Sequence, residues 1–143
     1  MDKFDTSRYE FGLQGEEKVA NYYKQHGYDV ATCKEHFGSK WSPTIDKQNG
    51  DLFVYKNGKT YQIDVKRARD TPERHYEFGT ISYCAEYDDA FQSKPNSWYA
   101  LLDDKMSTMC LLKASKLHGL KPRNSKFWMS FELKGFIDKE IKL

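Results

Sequence analysis

Asp51, Asp64 and Lys66 have residue types and spacing suited to phosphate chemistry. Carboxylates at opposed positions of two neighbouring strands have β-carbons about 5 Å apart and repel each other. A divalent cation would remove that repulsion, and Mg²⁺ is commonly held by one or two carboxylates together with substrate phosphates. Lys66 could then orient the attacking water or stabilise charge developing on the phosphate. The three residues predict phosphodiester hydrolysis, although their spacing alone also fits an ordinary solvent-facing hairpin.

The opposed arrangement depends on a predicted β-hairpin. Asn57-Gly58 separates two β-rich runs, 50–56 and 59–66, and is the strongest short signal for a type I′ turn because both central residues need positive φ. In that register Lys56 pairs with Lys59, and Asp51 lies opposite Asp64.

Side-chain alternation then assigns two faces to the hairpin. We expect an apolar core face and a second face that carries both aspartates and the lysine. The core face comprises Leu52, Val54, Tyr61, Ile63 and Val65, and the second face comprises Asp51, Phe53, Tyr55, Gln62, Asp64 and Lys66.

A helix precedes the hairpin and carries a third carboxylate. Thr6 or Ser7 can cap it, and Gly27 can end it after about His26. Glu16 falls on the apolar stripe of this helix, whereas Glu17 falls on the flank. An unpaired charge on a buried stripe is costly, so Glu16 needs a partner. The helix macrodipole offers an alternative reason for an acid here, but Glu16 with the two aspartates predicts a cation-binding cluster.

The segment from Lys34 to Asn49 is expected to be a long polar loop leading into Asp51, with Lys40 and Lys47 as candidate DNA contacts. His36 is interpreted as an ordinary loop histidine. After the hairpin, Arg67, Arg69 and Arg74 belong to the most basic segment of the chain, 66–75, which suits phosphate contacts. The alternative is a solvated loop around Pro72.

The remaining chain predicts further strands and two short helical segments. Asp103-Asp104-Lys105 is expected to form a turn rather than a second metal site. The predicted strands are 28–33, 76–83, 97–102, 108–112 and 127–133. The helical segments are 88–92, for which a short turn is the alternative, and 114–120.

Composition limits the class of protein. The chain has 143 residues, of which 38% are hydrophobic, so one domain spanning 1–143 is expected. The net charge of +2 means that any nucleic-acid contact must come from a local basic patch. Its three cysteines form no C-x-x-C pair, and no apolar run is long enough for a membrane span. We expect an intracellular, cytoplasmic protein with no membrane partner.

These motifs resemble those of the PD-(D/E)XK nuclease superfamily. The similarity lies in a helix Glu, in Gly50-Asp51 at a strand start and in Ile63-Asp64-Val65-Lys66 on the partner strand. The segment 16–30 is particularly similar to that of the Holliday-junction-resolving endonucleases of phages and archaea. The resemblance covers about residues 12 to 69, with Gly50 where the family often has Pro, and with Asp64 where Glu is more frequent.

The resemblance implies an α/β fold of the restriction-endonuclease-like type, in which a central mixed sheet with an active-site hairpin is flanked by helices. It implies Asp51, Asp64 and the Val65 carbonyl as metal ligands, Glu16 as a ligand or water-holder, and Lys66 as the catalytic lysine. The implied activity is cleavage of duplex or branched DNA with Mg²⁺ or Mn²⁺, either by a resolvase-like enzyme or by a phage or mobile-element nickase. A resolvase would act as a homodimer. The alternative is a non-catalytic DNA-binding module that retains the fold.

Overall fold

The computed structural model describes residues 6–67, 80–118, 128–132 and 138–143. Its main feature is a six-stranded mixed sheet with the strand order β1-β2-β3-β5-β6-β8, and β4 and β7 form a separate antiparallel pair. The helices are α1 (Thr6–Gln25), α2 (Cys33–Phe37), α3 (Pro43–Asn49) and α4 (Ala85–Gln92). The strands are β1 (Asp29–Thr32), β2 (Leu52–Lys56), β3 (Lys59–Arg67), β4 (Thr80–Cys84), β5 (Ser97–Leu102), β6 (Thr108–Lys113), β7 (Trp128–Glu132) and β8 (Lys139–Lys142).

The β2–β3 hairpin has the predicted turn. Asn57 and Gly58 have φ values of 53° and 77°, the combination that a type I′ turn requires. Lys56 pairs with Lys59, and the antiparallel pairing continues to Leu52 opposite Ile63. On its other side β3 pairs in parallel with β5, so the sheet is mixed, as expected.

Helix α1 covers one face of the sheet. Its buried residues Val19 and Tyr23 pack with Leu52, Val54 and Ile63 in the main hydrophobic cluster. The buried apolar residues of α1 recur at helical spacing, and those of β2 and β3 on this face of the sheet occur at every second position. These two periods are visible in the sequence, so both kinds of element could be predicted.

The opposite face of the sheet is also buried. Phe53 is only 4% exposed, and Phe91 of α4 packs against Tyr99 of β5 with ring centroids 5.3 Å apart. The prediction of a single core face was therefore incomplete. A mixed sheet whose two faces are both covered needs apolar residues on each face, and Phe53 meets that need.

The segment from Lys34 to Asn49 is not a loop. It contains α2, a 3₁₀ turn at Gly38–Lys40, and α3. Helix α2 has a complete capping box between Thr32 and Glu35. Helix α3 has Ser42 as its N-cap, followed by Pro43. These caps satisfy backbone N–H groups that a loop would leave to water, so the short helices form despite their polar composition.

Most other predicted elements agree in type and differ in extent, and the segment predicted at 88–92 is part of the longer helix α4. Strands β1, β5, β6 and β7 lie within one residue or two of their expected bounds, whereas 114–120 contains only a 3₁₀ turn at Ala114–Lys116 within its described part. The expected strand at 76–83 is observed as β4, and positions 76–79 lie outside the described residues. No helix among the described residues has both the length and the apolarity needed to cross a membrane.

Candidate active site

Asp51 lies in a bend immediately before β2, where regular strand pairing has ended. Gly50 precedes it with φ of 83°, and the Asp51 amide donates to the Ile63 carbonyl at 2.9 Å. The expected pairing of Asp51 directly opposite Asp64 is therefore not part of the ladder, which ends at Leu52. A proline could not replace Gly50, because its ring holds φ near −65°.

The bend directs the Asp51 carboxylate towards β3. Its Oδ2 atom accepts a 2.8 Å hydrogen bond from the Val65 amide. Asp64 and Lys66 flank Val65 on the opposite side of that strand, and the Lys66 Nζ lies 3.0 Å from Asp64 Oδ2. The end of the hairpin thus brings together the two aspartates and the lysine that the sequence identified.

Glu16 reaches the same place from α1. It is half-buried, whereas Glu17 is exposed, as helical phase predicted. The Glu16 carboxyl group interacts with that of Asp51, an interaction that lowers the Glu16 pKa and so opposes the larger effect of burial.

Burial and mutual repulsion both act on these acids. Desolvation is the largest cause that raises the pKa of Glu16, with the charges of Asp46 and Asp64 adding to it. The pKa of Asp51 is raised well above its ordinary value, first by burial and then by the charges of Asp64 and Glu16. The ionised forms of Glu16 and Asp51 are therefore disfavoured at this site.

Asp64 Oδ2 provides the clearest test of whether a cation would fit. This atom is buried and accepts no hydrogen bond of regular geometry from the described residues, although it is in ion-pair contact with Lys66. Carboxylate oxygens are the ligands that Mg²⁺ prefers, and it often takes only one or two from a protein. In the described part of the chain, no three His, Cys, Asp or Glu side chains lie close enough together to hold one ion as a group. The carboxylates of Asp51 and Asp64 fit a divalent cation as oxygen ligands.

Asp46 is an acidic neighbour that the sequence did not assign to the site. It lies on α3, where its Oδ1 atom accepts a 3.2 Å hydrogen bond from Trp41 Nε1. Burial, followed by the charges of Asp46 and Asp51, raises the pKa of the Cys33 thiol to about 12. The signal that could have located Asp46 was the Ser42-Pro43 helix start, which places it one helical turn before Gly50.

The basic residues expected to contact DNA have different surroundings. Lys40 and Lys47 are exposed. Arg67 instead donates hydrogen bonds to the carbonyls of Phe11 and Asp104, and its guanidinium lies 3.7 Å from the Phe11 ring centroid. Its donors are thus engaged within the chain, linking α1 to the turn after β5. The other two predicted contacts, Arg69 and Arg74, lie outside the described residues.

His36 is part of an aromatic cluster. Its ring stacks on Phe53 with centroids 3.8 Å apart and planes 6° from parallel, and its Nδ1 atom is hydrogen-bonded to the Tyr55 hydroxyl. This packing anchors α2 on the face of β2. His36 therefore lies on a helix rather than in the expected loop, and its ring has a packing role there.

The six-stranded mixed sheet flanked by helices is a restriction-endonuclease-like α/β fold. Among solved structures, the chain is similar to Hjc, a Holliday junction resolvase from the archaeal hyperthermophile Archaeoglobus fulgidus, with a TM-score of 0.56 and 8% identity over 87% of this chain and 86% of that one. It is also similar to a bacterial homing endonuclease, with a TM-score of 0.47 and 9% identity over 84% of this chain and 71% of that one. The fold assignment rests on the first similarity. No family model matches the sequence, and a search of curated proteins finds no match.

Proposed function

We propose that this protein is a divalent-metal-dependent DNA endonuclease that hydrolyses phosphodiester bonds. The observation that supports this most directly is Asp64 Oδ2, a buried carboxylate oxygen that accepts no regular hydrogen bond from the described residues. A buried charge without full compensation is costly. A cation bound during function would compensate this buried charge. An ordinary solvent-facing hairpin would not account for it.

In the proposed site, Asp51, Asp64 and the Val65 carbonyl hold Mg²⁺ or Mn²⁺. The cation would supply a Lewis acid for the phosphate and would lower the pKa of water. The Val65 amide orients Asp51 through the 2.8 Å hydrogen bond, which leaves the other carboxylate oxygen for binding. Glu16, adjacent to Asp51, holds the attacking water or accepts its proton.

Lys66 has a separate role in the proposal. Its ammonium group lies beside Asp64 Oδ2, where it partly compensates the carboxylate charge. With a cation bound to Asp64, the ammonium group would turn towards the scissile phosphate and stabilise the charge that develops there. Lys66 thus acts as a counter-ion in one state and as an electrostatic catalyst in the other.

The substrate we favour is branched DNA, cleaved by a homodimer. The similar archaeal protein is a Holliday junction resolvase, and a two-fold junction suits a two-fold enzyme. A nickase acting on duplex DNA is the alternative within the same chemistry. A non-catalytic module that retains the fold would bind DNA without cutting it.

The test compares wild type with Asp64→Ala and Lys66→Ala on a four-way junction and on supercoiled plasmid, with Mg²⁺, Mn²⁺ or EDTA. We expect metal-dependent cleavage that both substitutions abolish, with preference for the junction. Glu17→Gln is the matched control, because Glu17 is exposed beside Glu16. Binding without cleavage under every metal condition would identify the non-catalytic module, and a monomer that nicks plasmid would identify the nickase.

A further inference from the structure

A groove on the α1 side of the sheet lies at the hairpin-turn end, away from the acidic cluster. Its volume is about 240 Å³, below the 300–1,000 Å³ of pockets for drug-sized ligands. Four aromatic side chains contribute to its walls, and aliphatic residues complete them. The lining residues are Tyr23, Tyr28, Val54, Tyr61, Ile63, Trp98 and Leu111.

The aromatic rings are accessible from the groove. Tyr28, Tyr61 and Trp98 are half-buried, in contrast to Ile63, which is 1% exposed. Tyr61 and Trp98 lie on neighbouring strands, because Ile63 pairs with Trp98 in the parallel β3–β5 ladder. Tyr61 is two residues before Ile63 on the same face, so Tyr61 and Trp98 are diagonal neighbours that line the same groove.

Lysines surround this groove. Lys56 Nζ lies 4.8 Å from the Tyr28 ring centroid, and the register places three more lysines on the same sheet face. Lys59 is opposite Lys56, Lys113 is opposite Trp98, and Lys139 is opposite Leu111.

The register assigns no acidic residue to this face within the six strands of the described sheet. Asp138, which precedes β8, accepts hydrogen bonds from the Lys113 amide and the Lys116 ammonium group. The groove is thus aromatic inside and bordered by a rim of lysines, of which Lys113 also interacts with the charge of Asp138.

We propose that this groove binds single-stranded nucleic acid, with a base stacked on Tyr61 and Trp98 and the adjoining phosphates beside the rim lysines. Every base has a flat π-face, and single-strand sites combine aromatic stacking with a basic path for the backbone. The charge of the rim suits a polyanion, and the groove volume suits one planar ring system. The site is distinct from the acidic cluster, and binding to it requires no metal.

The first experiment measures binding of fluorescein-labelled dT₁₂ to the full chain in EDTA by fluorescence anisotropy. Lys59→Glu reverses a charge at the exposed turn, and we expect roughly tenfold weaker binding and a smaller salt dependence. Lys142→Glu is the matched control, because Lys142 is exposed and pairs with Thr108, on the opposite face of the sheet. Its affinity should stay within about twofold of wild type. Equal effects of the two substitutions would overturn the proposal.

A pair of substitutions at Trp98 separates stacking from folding. Trp98→Phe keeps an aromatic ring and should retain binding, whereas Trp98→Leu should weaken binding roughly tenfold at an unchanged melting temperature. If Trp98→Leu lowers the melting temperature, Tyr61→Leu takes its place. Equal affinities for the aromatic and aliphatic variants would contradict stacking.

Photocrosslinking locates the base directly. A dT₁₂ carrying one 5-iodouracil should crosslink to Tyr28, Tyr61 or Trp98, as mapped by mass spectrometry, in wild type and equally in Asp64→Ala. Crosslinks confined to other residues would overturn the proposal, as would a dimer that Trp98→Leu dissociates without changing dT₁₂ binding. These measurements use no cleavage, so a negative result would contradict the groove proposal and leave the proposed nuclease function unaffected. Absence of cleavage would likewise contradict the nuclease function and leave the groove proposal unaffected.

Discussion

Glu16 and Glu17 are neighbours in sequence with different environments. Glu16 is half-buried and interacts with Asp51, whereas Glu17 is exposed on α1. We expect Glu16→Gln to lower the rate of DNA cleavage by at least about 100-fold, since it removes a group that can hold or deprotonate water. Glu17→Gln should leave the rate unchanged. Single-turnover cleavage under saturating Mg²⁺ measures both, and equal rates for the two variants would remove Glu16 from the proposed mechanism.

Asp51 combines a proposed functional role with a cost in stability. Its pKa is raised by burial and by neighbouring acids, so its ionised form destabilises the folded state. This cost is fully present above the folded-state pKa and disappears below the unfolded-state pKa.

Asp51→Asn removes the charge at Asp51 while an amide oxygen can still accept from the Val65 amide. We expect its melting temperature in EDTA at neutral pH to rise by about 3 °C or more, the difference shrinking in acid. Added Mg²⁺ should stabilise wild type and not the variant. Thermal unfolding with and without Mg²⁺ checks both expectations, and a lower melting temperature for the variant in EDTA would contradict the first.

At the scale of elements, the bend before β2 depends on Gly50. An added Cβ there would lie 2.8 Å from Phe91 Cε1 and 3.1 Å from the Ile63 carbonyl oxygen, at a φ of 83°. Gly58 has a similar φ of 77° but no atom within 4 Å of an added Cβ.

These two glycines form a matched pair. Gly58→Ala should cost about 1 kcal/mol in unfolding free energy, from backbone strain alone. Gly50→Ala should cost about 3 kcal/mol, because overpacking adds to the strain, and should impair cleavage by shifting Asp51. Urea denaturation measures the difference, and equal costs would contradict the close approach at Gly50.

Arg67 connects two elements that are distant in sequence. It donates to the Phe11 carbonyl and to the Asp104 carbonyl, and it packs against the Phe11 ring. Arg67→Met retains part of the packing but leaves both carbonyls unsatisfied, so we expect a loss of about 2 kcal/mol. Lys59→Ala, on the exposed start of β3, should have little effect on urea unfolding. Unchanged stability of Arg67→Met with weaker DNA binding would instead favour the predicted DNA contact.

The response of the whole molecule to acid depends on carboxylates that stabilise the fold. Asp103 is 5% exposed; burial opposes its ionisation, but hydrogen bonds from Ser107 and Thr108 outweigh burial and lower its pKa. The resulting stabilisation is present above the ordinary aspartate pKa of about 3.9 and is lost as the pH falls through the lower folded-state value.

Asp103→Asn should therefore be less stable than wild type at pH 7 by about 1 kcal/mol, and the gap should close in acid. Asp29→Asn, at an exposed position of β1, is the control. Urea unfolding from pH 7 to pH 3 provides the measurement, and a gap that widens in acid would contradict the expected direction of the pKa shift.

Local patterns determined much of this protein from its sequence. Asn57-Gly58 specified the hairpin register, strand alternation placed Asp64 and Lys66 on one face, and the period of α1 turned Glu16 inwards. These features depend on contacts between residues close in sequence or directly across one turn, so periods of 2 and 3.6 residues are enough to predict them. The one-domain organisation of residues 1–143 stays a prediction.

The tertiary structure decided the contacts between elements. The strand ladder ends before Asp51, whose carboxylate contacts the Val65 amide and lies beside Glu16. Asp46 is close enough to Glu16 to affect its pKa, and Arg67 donates hydrogen bonds within the chain. These contacts join residues far apart in sequence, and their formation depends on the packing of the whole core. The physical reason is that local propensity limits the conformation of each segment, whereas burial across the assembled sheet selects which segments meet.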